Sequence, residues 1–465
     1  MHILPANTPV TKRETVFYGL FGGGGFAYSY IMFSSVILYY FTDVLGIAAG
    51  AAGVLLLIAR IWDGINDPLM GILIDKTHTR WGKNRPYIFI GGILMAVFTV
   101  LLFTKPGFES EGSKLAWAYF TYIGYGMSYT MCTIALGSLP SRLTTDRHGI
   151  AKMASSFFAG SSVMSILASL TLMSSIATFS GPEGNVARGY QSTAILAAAI
   201  LLLFVVILSV SEKERDLQGE NPPQIKFFEA IKVMFSNVHY WGFMLTQGVA
   251  IFGYYLSAGT ILYYCIYNLG SQTHYTPLLV CDYATPIIAA LVIPGLVKKV
   301  DRKSIVVISL LTVGVAYLLR YLTGDTNTFV MVLLAGIGGI AMGFFNVLFN
   351  PIALDCAIFS EHKTGLQLQG SFVAANSILT KCAAGLSGAL LGFILDHVGY
   401  VENAPAQSDQ VLSALKLCAT LSVSVAAVAG AILFCLMYRL KNGDLEEMNE
   451  RNITRRNIRD INIEE

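Results

Sequence analysis

The chain has 465 residues, 54% of them hydrophobic and 13% charged, with a formal net charge of +2, and its mean hydropathy is +0.60. Soluble domains carry about 45–50% apolar residues, so this balance describes a membrane protein and argues against a nucleic-acid partner, which would call for one continuous basic face rather than short basic clusters between apolar runs. The histidines lie at loops or termini and the seven cysteines are scattered singly, without CxxC or metal spacing; that pattern argues against an enzyme and reads the cysteines as inert core residues.

The opening stretch MHILPANTPVTKRETVF is polar for too long before its first apolar run to resemble a cleaved signal peptide. A bilayer core of about 30 Å takes about 20 apolar residues per helix. Roughly twelve such segments follow, at 17–42, 47–75, 87–104, 114–138, 151–180, 192–211, 241–269, 275–297, 305–323, 329–350, 367–396 and 410–438. Alternate connections are basic: Lys12 and Arg13, then Lys76, Arg80, Lys83 and Arg85, then Arg142, Arg147 and Lys152, then Lys298, Lys299, Arg302 and Lys303. The positive-inside rule places these connections and both termini in the cytoplasm, with the protein in the inner (plasma) membrane. The longest polar stretch, from Ser211 to Asn237, divides the spans six and six and can end in a short interfacial helix. Residues 1–210 are expected to form one six-helix bundle, 211–240 a cytoplasmic loop, 241–438 a second bundle and 439–465 a charged cytoplasmic tail. A weak echo between GILIDKTHTRWGKNRP and PGLVKKVDRKS, each after the second span of its half, suits two repeats with a substrate site between them.

One stretch stands out on physical grounds. In RIWDGINDPLMG, from Arg60 to Gly71, Asp63, Asn66 and Asp67 interrupt an apolar run. On a helix these positions share one face. A lone carboxylate at membrane depth costs a few kcal/mol or more, and two side by side repel unless a proton or cation sits between them. A small hard cation at Asp63 and Asp67 relieves both penalties. The structural alternative has Asp67 capping a break at Pro68 while Asp63 pairs with Arg60 or a distant Lys.

These residues also carry a family likeness. RIWDGINDPLMGILIDKTHTRWGKNRPYIFIGG resembles the second-helix and first-loop signature of the glycoside-pentoside-hexuronide cation symporters, the melibiose-permease-like branch of the major facilitator superfamily. Further matches are YYFTDVLG (Tyr39 to Gly46), YGMSYT (Tyr125 to Thr130), SEHKTG (Ser360 to Gly365) and the lysine of SILTKCAAG, Lys381. The resemblance implies a major facilitator fold of twelve transmembrane helices in two six-helix bundles. It implies uptake of a small polar solute, a sugar, glycoside or sugar acid, driven by Na+, H+ or Li+ with no other cofactor. The family's cation ligands fall on Asp63, Asn66, Asp67 and Thr130, and its coupling lysine on Lys381. A lone Lys in that apolar setting needs an anionic partner or must snorkel to an interface.

The sugar ligands of the melibiose carriers are missing. No acid stands on the first helix, Thr133 replaces the fourth-helix acid, Gly137 an aromatic and Ser156 the fifth-helix Arg. An unfilled buried acceptor is penalised, so galactosides are not the expected substrate. Tyr28, Tyr30, Thr133, Asn346, Asn350 and Ser377 are the candidate substrate contacts, each with an alternative as an interhelical tie; Asp282 is a further candidate for substrate, a proton or a watery mouth. Arg320 is expected to end its helix by snorkelling at the outer interface. Asp75, Arg80, Lys83, Arg85, Arg142, Asp355 and Glu361 resemble a cytoplasmic gate network. The four glycines Gly22 to Gly25 are read as a place of close helix approach, not a phosphate loop. The expected partners are a small-molecule substrate and membrane lipid, with no nucleic acid and no obligate protein partner. The competing reading is a cation-coupled transporter of a lysolipid, since a cavity without charged sugar ligands is less polar.

Overall fold

The computed structural model describes residues 10–77, 79–144, 146–215, 232–234, 236–323, 327–366, 368–402 and 404–464. Among these, long helices follow one another as α1 (Lys12–Val44), α2 (Ala49–Lys76), α3 (Arg85–Leu102), α4 (Glu111–Leu143), α5 (Arg147–Ser180), α6 (Val186–Ser211), α7 (Val238–Asn268), α8 (Tyr275–Leu296), α9 (Arg302–Thr323), α10 (Thr328–Thr364), α11 (Gln369–His397) and α12 (Asp409–Met437), with α13 (Asn442–Glu464) as a tail helix. Helix starts are marked by Ser110, Asn185 and Asn327, whose side chains accept first-turn N–H groups. The expected interfacial helix of the central stretch falls largely outside the described residues.

Eleven of these helices are long and apolar enough to cross a membrane. The exception among α1 to α12 is α4, expected from sequence at 114–138 and found to run from Glu111 to Leu143. Its hydropathy is lowered by Thr121, Ser128 and Thr130, all buried against protein rather than lipid. Several helices outrun their sequence limits because hydropathy sees only the most apolar part: α6 begins at Val186, α4 continues past Pro140, and α10 runs through Pro351 to Thr364, where Gly365 at φ +74 ends it.

The described residues fall into two compact units. One is bounded as Met1–Glu220, Gly259–Tyr283 and Gly388–Leu415, the other as Asn221–Ala258, Ala284–Ser387 and Lys416–Glu465. In the first, α1 crosses α5 with backbones nearly touching: a Cβ on Gly23 would overlap the Phe157 carbonyl, and one on Gly160 the Gly19 carbonyl. Small residues permit such approaches between membrane helices, as the glycine run led one to expect. In the second, Phe345, Phe372, Phe434 and Tyr438 anchor the core, and α13 is tied to α10 where Asn452 Nδ2 donates to the Ile358 carbonyl at 3.1 Å.

Two sequence expectations fail. Arg320 does not snorkel: it is 2% exposed, lies over the Tyr317 ring at 4.8 Å and leaves Nε and Nη2 without a hydrogen-bond partner among the described residues. Burial against its own helix neighbour keeps the guanidinium from the interface. Nor are all the cysteines core residues, since Cys382 and Cys435 are exposed.

At the end of the first unit that carries the basic loops, charge is organised by the residues after α6. Glu214 accepts the backbone N–H groups of Lys83 and Asn84 at 2.8 Å and of Arg85 at 3.0 Å, placing an anion on the N-terminus of α3. Gly82 is required twice there: its φ is +107, and a Cβ would collide with the Glu214 carboxylate. Arg215 pairs with Glu14 at 2.9 Å. Glu212 is fully buried, and neither carboxylate oxygen has a partner among the described residues.

Burial, reinforced by the nearby Glu14 carboxylate and opposed by Arg215 and Arg85, pushes the Glu212 pKa up to about 8. The folded state therefore keeps this proton at pH values where the unfolded chain has lost it. The associated stability is complete below the ordinary glutamate value and is lost as pH rises through about 8, with a slope of at most ~1.4 kcal/mol per pH unit. Glu212→Gln is expected to flatten the decline of melting temperature between about pH 5 and 8; parallel curves for variant and wild type would contradict the burial of a neutral acid.

Candidate functional site

The intramembrane acids of α2 meet α4. Asp63 and Asn66 are buried, as is Thr130 on α4. Thr130 Oγ1 donates to Asp67 Oδ1 at 3.0 Å. One turn earlier, Asp63 Oδ1 points at Gly126, where an added Cβ would stand 3.1 Å from it. Asp63 and Asp67 are four residues apart, as are Gly126 and Thr130, so two helical i, i+4 pairs lie in register and direct both carboxylates to one seam. Gly126 leaves open the space that any side chain would fill.

The rival pairing is also present. Arg60 Nη1 donates to Asp63 Oδ2 at 3.1 Å, one turn along α2. It balances one of the two carboxylate charges and leaves Oδ1 toward α4. The Asn66 amide nitrogen is buried without a partner among the described residues. Carboxylate and hydroxyl oxygens side by side on one seam are hard donors of the type that alkali cations or a proton take.

The candidate substrate residues are distributed over both units. Tyr28 is committed to an interhelical tie, its hydroxyl 2.9 Å from Thr171 Oγ1 on α5. Tyr30 stacks on Tyr129 with ring centroids 5.2 Å apart. The Thr133 hydroxyl bonds back to the Tyr129 carbonyl at 2.9 Å. Asn346 and Asn350 are exposed one turn apart on α10, while Asp282 on α8 and Lys381 on α11 are half-buried. The Ser377 side chain lies outside the described residues.

Of the expected gate charges, Lys83 and Arg85 meet Glu214 through their backbones. The Arg85 guanidinium donates to the Ser209 carbonyl and, at 3.3 Å, to that of Trp81. Asp355 accepts from Arg302 and, at 3.3 Å, from the Tyr438 hydroxyl, all in the second unit. Glu361 is buried, Arg142 is half-buried and Arg80 is exposed. The Asp75 side chain lies outside the described residues.

Sequence reasoning missed a polar group of the second unit. Gln247 Nε2 on α7 donates to Thr380 Oγ1 on α11 at 3.3 Å. Gln247 Oε1 and both amide atoms of buried Asn376 have no partner among the described residues. The available signal was an isolated amide in each of two apolar runs, MLTQGVA and VAANSIL.

Comparison with known proteins decides the family. The model for MFS/sugar transport proteins matches residues 18–442. The chain belongs to this family. It is 31% identical over 402 residues to the isoprimeverose transporter of Lactiplantibacillus pentosus, covering 84% of this chain and 81% of that protein. With the glucuronide carrier protein homolog of Escherichia coli (strain K12) it shares 28% over 414 residues, 88% of this chain and 89% of the relative. The solved structure of the nucleoside transporter NupG matches with a TM-score of 0.66 at 14% identity, over 92% of this chain and all of that one, which establishes the fold. This glycoside-pentoside-hexuronide symporter is thus an all-α, multi-pass membrane protein of the major facilitator fold, a cation-coupled carrier of a sugar or glycoside and not an enzyme. The lysolipid reading finds no support in these relatives.

Proposed function

We propose that the symporter carries a sugar of the isoprimeverose or glucuronide type together with Na+, and that the ion is held by Asp63, Asp67, Thr130 and Asn66. The observation that carries this reading is the α2–α4 register, in which Thr130 donates to Asp67 while Asp63 Oδ1 faces Gly126. Two carboxylates, Asp63 buried and Asp67 half-buried, bring two negative charges to the α2–α4 seam. Arg60 meets Asp63, and a monovalent cation held between the two carboxylates offsets their mutual repulsion. Lys381 is the coupling residue: its ammonium and the incoming ion are alternative counter-charges during the cycle, and exchange of one for the other links ion binding to substrate binding. Tyr30, Thr133, Asn346, Asn350, Ser377 and Asp282 are the proposed substrate contacts, and the basic end is the cytoplasmic side of the inner membrane. Residues 1–210 and 241–438 act as the two bundles of an alternating-access carrier.

The test is a counterflow screen of purified carrier in proteoliposomes across glycosides, glucuronides and sulfonated sugars, with a Na+ gradient or a proton gradient. A Na+ gradient is expected to raise accumulation of one of these by about tenfold. Stimulation by the proton gradient alone would transfer the site from Na+ to H+, and no accumulation of any of these sugars under either gradient would overturn the assignment.

A further inference from the structure

A second polar cluster occupies the end of the helices opposite the basic loops, apart from the α2 acids. Its centre is Asp43, 6% exposed, in the π-helical turn Tyr40–Val44 that closes α1. Tyr400, in the α11–α12 connection, donates to Asp43 Oδ1 at 2.8 Å and Oδ2 at 2.9 Å. Tyr267, in the π-helical end of α7, donates to Oδ1 at 3.0 Å. Thr42 donates to Oδ2 at 2.6 Å and its hydroxyl lies 2.8 Å from that of Tyr263. Tyr275, opening α8, donates to the Ser35 carbonyl of α1 at 2.9 Å. All these residues belong to the first compact unit, which joins residues 259–283 and 388–415 to the N-terminal helices. At the same end α2 crosses α11 on glycines, and a Cβ on Gly392 would stand 2.8 Å from the Gly53 Cα.

Late segments of the chain are thus fastened to the end of α1 by one carboxylate and neutral hydroxyl donors. Chemistry of this kind suits repeated breaking. Departing phenols lose neutral hydrogen bonds and the exposed carboxylate is rehydrated. A smooth glycine seam beside it has no side chains to interlock. π-helical turns, rare elsewhere, recur at functional points in helices.

We propose that Asp43, Tyr267 and Tyr400 are positioning residues for transport, forming a latch that holds the path at this end closed and opens by release of the two phenols from the carboxylate. The inference is independent of where the coupling ion binds. Spin labels at Lys105→Cys and Val401→Cys, both exposed on connections at this end, report the opening in full-length carrier whose native cysteines have been replaced. Asp43→Asn and Tyr400→Phe are each expected to transfer population from the short to a longer label distance and to slow uptake by about tenfold, while substrate binding stays within about twofold. Unchanged distance distributions in both variants, or loss of binding in step with loss of uptake, would overturn the latch. Tyr400→Phe, which deletes a single hydroxyl, decides the matter if Asp43→Asn is recovered poorly.

Discussion

Asp63→Cys and Asp67→Cys carriers are expected to insert and purify like the wild type but to lose ion-driven accumulation, by about 100-fold or more. Each substitution removes one of two oxygen-rich anions that face the α4 seam, and a neutral thiol neither attracts nor coordinates a hard cation as a carboxylate does. The two variants differ in what they strand. Asp67→Cys leaves Thr130 without its acceptor, whereas Asp63→Cys leaves the partly buried Arg60 without the carboxylate it meets at 3.1 Å. On the single site proposed above, the double variant is expected to be scarcely worse than either single one. Initial rates of sugar uptake in proteoliposomes, with and without a Na+ gradient, check the result. Normal Na+-stimulated accumulation by both variants would remove these acids from the coupling machinery.

Glu214→Ala produces the largest loss of stability expected from any residue outside the spans. Its carboxylate serves three backbone N–H groups at the start of α3, and charge-assisted hydrogen bonds left unmade in a buried place cost about 1–3 kcal/mol each before water or neighbours compensate. A net cost of about 3 kcal/mol follows if half of that is recovered. Glu214→Gln keeps one acceptor oxygen and is expected to fall between alanine and wild type. Thermal melting in detergent, followed by fluorescence or by the monodisperse fraction on size exclusion, measures the series. A melting temperature for Glu214→Ala within about 1 °C of wild type would show that the loop is capped by other means.

The helices were legible in the sequence because a membrane span is a local property. Twenty apolar residues in a row satisfy both the bilayer and their own backbone hydrogen bonds without reference to the rest of the chain. The one span hydropathy underrates, α4, is polar because Thr121, Ser128 and Thr130 are covered by other helices, and burial by neighbours is not a local property. The same holds for the site. That Asp63, Asn66 and Asp67 share a face followed from helical spacing, and their place in a known family signature followed from the residues themselves.

By itself, then, the chain determined its spans, its family and the face of α2 on which the acids lie, since each depends on residues within a turn or two or on a contiguous motif. Tertiary structure alone decided that Thr130 reaches Asp67 and Gly126 makes room beside Asp63, that Tyr28 is used up on Thr171, that Arg320 is buried, and that Tyr267 and Tyr400 converge on Asp43. Those contacts join positions as far apart as 357 residues, and which distant partner satisfies a buried polar group is set by how the helices pack.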